Sequence, residues 1–129
     1  MYNIKPIEDK DFYKLLELNY KLQQLLPYKH SISASAVLLC KDIGVVDKLV
    51  IGLYKGDELV GFINGVKETD EIFYFSNIYI EPEHRYGTKK LMEYAEKAII
   101  DLGYKAWKSD GNTKEGIRVL QRFGARRHK

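Results

Sequence analysis

The sequence predicts an α+β fold of element order β-α-α-β-β-β-α-β-α, and three observations predict it. Apolar residues recur at spacings of three and four between Asp11 and Leu26. The period then changes to that of strands between Leu49 and Ile80, broken by two polar turns. Helical spacing returns over residues 89–102.

The elements follow in order. Residues 3–7 form a short first strand, stopped by Pro6 and the acidic pair Glu8-Asp9. Phe12, Leu15, Leu18, Leu22 and Leu25 lie on one face of a helix over 11–26, capped by Asp9 or Asp11 and ended by Pro27. Residues 33–43 suggest a second, weaker helix ending at Gly44. Residues 49–54 and 59–66 are hairpin strands around Lys55-Gly56-Asp57-Glu58, with Gly61 and Gly65 interrupting the side-chain pattern. After the turn Lys67-Glu68-Thr69-Asp70-Glu71, residues 72–80 make a long aromatic strand that Pro82 ends. Over 89–102 a core face of Leu91, Ala95, Ala98, Ile99 and Leu102 opposes Glu93, Glu96, Lys97 and Asp101, and Gly103 stops the helix. A strand over 104–109 and a last helix over 113–123 complete the order.

Composition excludes several classes. At 129 residues the chain predicts one domain spanning 1–129, and a hydrophobic content of 45% suffices for one core. Charged residues make up 30% but nearly cancel to a net +3, which argues against disorder and is weak for a nucleic-acid module. The single cysteine, Cys40, forms no internal disulfide and reads as a small buried hydrophobe. No signal-like start and no stretch of ~20 apolar residues is present, so a cytoplasmic protein without a membrane role is predicted. The three histidines have no metal-ligand spacing with Cys40 or one another, and no metal is predicted.

A strand that runs through a glycine-containing turn into a helix is a candidate anion site, because free N–H groups and the helix dipole converge there. Here the turn is Glu83-His84-Arg85-Tyr86-Gly87-Thr88-Lys89-Lys90. It offers a flexible glycine at Gly87, the Thr88 hydroxyl, and cations at Arg85, Lys89 and Lys90. The local pattern alone is common.

Its setting is less so. Asn77-Ile78-Tyr79-Ile80-Glu81-Pro82-Glu83-His84-Arg85, the glycine turn, and the helix beginning Leu91-Met92-Glu93-Tyr94-Ala95 resemble the central motif of the GNAT superfamily of N-acetyltransferases. Gly103-Tyr104-Lys105-Ala106-Trp107, Asn112, Gly116-Ile117-Arg118 and Phe123-Gly124 resemble the next motif. Ile4-Lys5-Pro6-Ile7, Asp11, Gly52-Leu53-Tyr54 and Val60-Gly61-Phe62-Ile63 fit the family's start and middle strands. The resemblance covers nearly the whole chain. It implies a central mixed, mostly antiparallel sheet with helices on both faces, and acetyl-CoA as co-substrate lying between the fourth and fifth strands. Ile78, Tyr79 and Ile80 would pair with its pantetheine arm. Arg85, Tyr86, Gly87, Thr88, Lys89 and Lys90 would hold its pyrophosphate, and Asn112 would join them. Tyr28 and His30 would border the acceptor.

Three features depart from the family pattern. The phosphate loop is shorter by about two residues and keeps one glycine. Leu120 stands where many members carry a tyrosine that protonates the leaving thiolate, a role worth ~10²–10⁴-fold. The sequence ends soon after Gly124, so the C-terminal strands are expected to be short or missing, and a homodimer is a candidate for completing the sheet.

Acyl transfer asks for a neutral amine, a polarised thioester carbonyl and their alignment. Against a lysine-like amine pKa of ~10.4, a base or a water chain to a carboxylate helps. Glu81 and Tyr79 are the catalytic candidates, with Glu71 a further carboxylate nearby. The backbone amide at Ile78 is the expected carbonyl donor, after a bulge near Ser76-Asn77. The function predicted is transfer of an acetyl group to a primary amine of a small molecule or peptide. A catalytically weak or inactive module on the same fold is the alternative. A nucleic-acid reading of the basic end (Arg118, Arg122, Arg126, Arg127, His128, Lys129) ranks third.

Overall fold

Turn chemistry organises the sheet. Gly56 takes φ +61°, a conformation costly for other residues, and closes the tight hairpin between β2 (Lys48–Lys55) and β3 (Glu58–Lys67). At the next turn the Thr69 hydroxyl oxygen accepts the amides of Glu71 and Ile72 at 3.2 and 3.0 Å, setting the start of β4 (Ile72–Ile80). The computed structural model describes residues 2–24 and 48–109, and in these the sheet order is β1-β2-β3-β4-β5. β1 (Tyr2–Pro6) lies antiparallel to β2, and only β5 (Ala106–Ser109) runs parallel to its neighbour β4. The helix proposed at 33–43, the last helix at 113–123, and Tyr28, His30, Asn112 and Leu120 all lie outside the described residues.

A helix covers each face. On one, Leu15, Leu18 and Leu22 of α1 (Phe12–Gln23) pack on Val50, Tyr54, Leu59, Phe62 and Tyr79. On the other, Leu91, Met92, Ala95 and Ile99 of α2 (Thr88–Asp101) pack on Ile51, Leu53, Val60, Ile63, Phe73, Phe75 and Ile80. Burying side chains of this size contributes about 1.5–3 kcal/mol each.

Three details differ from the sequence reading. Asp11 occupies the N-cap of α1 without making the side-chain cap bond; its carboxylate instead accepts the Tyr54 hydroxyl at 2.7 Å, tying the helix start to β2. Leu102 is not a core residue but half exposed, because α2 ends at Asp101 and Gly103 turns the chain at φ +101°; Met92 takes the place on the apolar stripe. β5 begins at Ala106 because the amides of Lys105 and Ala106 both go to the Glu71 carbonyl, at 2.8 and 3.2 Å, before the ladder starts.

One irregularity governs β4. Gly65 pairs with Phe75 but Asn64 with Asn77, leaving Ser76 as an extra residue, a β-bulge at the predicted place. Phe73 and Phe75 point toward α2. Without the bulge Asn77 and Tyr79 would follow them. With it, Ile78 and Ile80 join the α2 side while Tyr79 joins the α1 side, and the period of two carries Asn77 and Glu81 with Tyr79. Backbone crowding accompanies the shift: a Cβ on Gly65 would stand 2.4 Å from the Tyr74 carbonyl oxygen.

Candidate functional site

The site is built where the described pairing of β4 with β5 ends. Their pairing runs from Ile72↔Ala106 to Phe75↔Ser109, and beyond it β4 continues to Ile80 with no strand on that side among the described residues. The apex is fastened by the Ser109 hydroxyl, which donates to the Phe75 carbonyl at 2.8 Å.

Ladder alternation decides which β4 groups face the opening. The Glu81 amide donates to the Val60 carbonyl at 2.9 Å, so residues 81 and 60 are a hydrogen-bonded pair. In an antiparallel ladder the neighbouring pairs alternate, which turns the N–H and C=O of Ile80 and Ile78 away from β3 and into the splay. The Ile80 carbonyl confirms the direction, because it accepts Arg85 Nε at 3.0 Å. Ile78 therefore presents a donor and an acceptor between two fastened ends.

The turn after β4 is more helical than the sequence suggests. Pro82–Gly87 forms a 3-10 stretch, kinked at His84, that runs directly into α2. The His84 amide donates to the Glu81 carbonyl at 2.8 Å and the Thr88 amide to the Arg85 carbonyl, so some of the expected free donors are already used. Gly87 is not the flexible point of an open loop. Its φ is −80° and it is buried, with room for a Cβ blocked by Leu53 Cδ2 at 2.8 Å. The Thr88 hydroxyl is also buried and donates to the Arg85 carbonyl at 2.6 Å. Tyr86, Lys89 and Lys90 remain exposed, with Lys89 3.9 Å from Glu93.

Tyr2 supports this turn from below, which periodicity did not reveal. Its hydroxyl and His84 Nδ1 are 3.0 Å apart, its ring meets those of His84 and Tyr86 edge-on, and Lys55 Nζ lies 5.1 Å from its centroid. Desolvation, then the neighbouring Tyr86 hydroxyl, pushes the Tyr2 phenol up to about 12.

On the α1 side of the splay stand the two catalytic candidates. Tyr79 is buried, and desolvation followed by the Glu81 charge raises its phenol above the ordinary range. Glu81 forms an ion pair with Lys21 of α1, with the carboxylate side chain only 14% exposed. Asn19, Gln23 and Asn64 are buried carboxamides of α1 and β3, the last directly opposite Asn77. Glu71 lies at the opposite end of β4 from Glu81, paired with Lys105 at 3.1 Å on the surface. Trp107 is a packing residue, edge-on to Phe75 at 5.4 Å. Among the described residues no group of three or more His, Cys, Asp or Glu is placed to hold a metal, and no helix is long and apolar enough to cross a membrane.

Among the described residues, the strand order, the single parallel pair and the bulge in β4 are those of the GNAT fold. No protein-family model matches the chain, and no curated protein matches it at a significant level. Solved structures do. A predicted acetyltransferase from Clostridium acetobutylicum, crystallised with acetyl-CoA, superposes with a TM-score of 0.84 at 12% identity, over 100% of this chain and 92% of that one. The aminoglycoside N-acetyltransferase AAC(6')-Iy, in complex with the bisubstrate analogue CoA-S-monomethyl-acetylneamine, gives 0.81 at 16% identity, over 100% and 93%. A ribosomal-protein-alanine N-acetyltransferase from Brucella melitensis gives 0.79 at 15%, over 100% and 94%. At these identities the likeness is one of fold.

Proposed function

We propose that this chain is an acyl-CoA-dependent N-acetyltransferase, a single domain that moves an acetyl group from acetyl-CoA to a primary amine. The observation that carries this reading is the outward-facing backbone of Ile78, set between the capped Phe75 and Ile80 carbonyls beyond the described pairing of β4 with β5. A pantetheine arm is an extended chain of two amides, and an unpaired strand edge offers it a donor and an acceptor at the matching repeat. Support also comes from the presence of acetyl-CoA or a CoA-linked analogue in similar folds.

In this reading Ile78, Tyr79 and Ile80 align the arm, and the Ile78 amide polarises the thioester carbonyl. The phosphates meet the turn from Arg85 to Lys90, and Asn112, outside the described residues, is a further expected contact. Because Thr88 and Arg85 Nε already have backbone partners, the exposed Lys89, Lys90 and the remaining guanidinium nitrogens of Arg85 supply most of the charge. The amine nitrogen attacks the carbonyl carbon, the carbon–sulfur bond breaks, and CoA leaves as the thiolate. Glu81, with Tyr79 beside it, faces the acceptor side, which Tyr28 and His30 would border. The acceptor stays at the level of a primary amine, because similar folds serve acceptors as different as an aminoglycoside and a ribosomal protein and the fold does not choose among them.

Calorimetry with acetyl-CoA and desulfo-CoA, followed by thiol release across a panel of small and peptide amines, tests the proposal. Saturable binding of both cofactors with amine-dependent release of thiol is expected. No binding at millimolar cofactor contradicts it, and binding without release favours a non-catalytic module.

A further inference from the structure

The turn after β4 crosses over the α2 face of the sheet. By Gly87 it has reached Leu53 of β2 and Tyr2 of β1, whose Cδ2 and Cε2 would stand 2.8 and 3.5 Å from a Cβ at that glycine. The crossing carries Tyr86 to the corner where β1 begins and β2 ends, and there Tyr2 and Lys55 are directly opposed on the two strands. The Tyr2 ring meets Tyr86 edge-on, with centroids 5.6 Å apart, and Lys55 Nζ lies 5.1 Å from the same Tyr2 centroid. The Tyr2 hydroxyl is tied in turn to His84 Nδ1 at 3.0 Å. Tyr86 is therefore supported along one edge and yet 76% exposed. Around it the exposed cations Arg85, Lys89, Lys90 and Lys55 outnumber the carboxylates of Glu83 and Glu93. An exposed aromatic face among cations is suited to a flat base that carries phosphate.

We propose that Tyr86 is the stacking platform for the adenine of the CoA cofactor, with Lys55 beside it to take the ribose 3′-phosphate. The inference rests on the acyl-CoA reading above and concerns the half of the cofactor that β4 does not serve. A pantetheine arm is matched by a strand edge and a pyrophosphate by the basic turn. The base needs a π-face instead, and the 3′-phosphate needs a cation of its own. Tyr2 joins the two groups, since Tyr86 and Lys55 each touch its ring from a different strand or turn. A tyrosine that only covered the corner would share the exposure but would not distinguish ligands with adenosine from ligands without it.

The test is calorimetry on the full chain with CoA, 3′-dephospho-CoA, 4′-phosphopantetheine and adenosine 3′,5′-bisphosphate. Wild type is compared with Tyr86→Ala, Tyr86→Trp and Lys55→Gln. Tyr86→Ala is expected to weaken CoA and adenosine 3′,5′-bisphosphate about tenfold and to leave 4′-phosphopantetheine unchanged. Tyr86→Trp should keep the wild-type affinities, because it keeps a stacking face. Lys55→Gln should erase the preference of the wild type for CoA over 3′-dephospho-CoA. Undiminished CoA binding in Tyr86→Ala, or an equal loss for 4′-phosphopantetheine, overturns the inference. So does a preference for the 3′-phosphate that survives Lys55→Gln, or a wild type that binds 4′-phosphopantetheine as tightly as CoA. A wild type that binds neither CoA nor 4′-phosphopantetheine defeats the acyl-CoA reading itself.

Discussion

The two halves of β4 are one continuous strand with opposite duties. From Ile72 to Phe75 it is held on both sides, by β3 and by β5, and its two phenylalanines are sealed beneath α2. From Asn77 to Ile80 it keeps β3 and has no strand on its other side among the described residues, and its faces are exchanged, so that Tyr79 and then Glu81 look toward α1. One inserted residue, Ser76, separates the halves. The difference teaches that one inserted residue is enough to re-aim the side chains of an otherwise ordinary strand.

Phe73→Ala is the harshest way to break the comparison. Phe73 is fully buried and packs on Phe75 and Tyr104 at 5.2 Å, so the change should cost about 3–5 kcal/mol in denaturant unfolding. The surviving folded fraction should bind CoA as before, because this half carries structure. Ile78→Pro should do the reverse. The Ile78 amide makes no bond to β3, so removing it should weaken CoA about tenfold by calorimetry with a smaller effect on stability. Smallest is Ser109→Ala, which removes one hydroxyl bond at the apex and should cost about 1 kcal/mol while shifting CoA affinity little.

Much of this was legible in the sequence, and the limits are physical. β4 matched its predicted bounds of Ile72–Ile80 because its apolar run is bounded by a polar turn and Pro82. The two predicted helices that fall among the described residues matched to within one to three residues, since periodicity locates a face more firmly than an end. Leu102 was misplaced because a spacing of three from Ile99 continues the stripe on paper, whereas Gly103 has already turned the backbone. Gly87 and Thr88 look like ligand groups in a motif, yet one is packed against Leu53 and the other bonds its own turn. Lys21, Tyr2 and Ser109 were invisible for a different reason. Each acts across 34 to 82 residues of sequence, and a lone lysine, tyrosine or serine carries no periodic signal.

The central claim, that the second half of β4 is the cofactor edge, is tested most directly by following backbone amide resonances while CoA is added to the isotope-labelled protein. The account predicts saturable shifts at Ile78, Ile80 and residues 85–90, with residues 72–75 unmoved. Shifts confined to other strands, or none at all at saturating CoA, would contradict it.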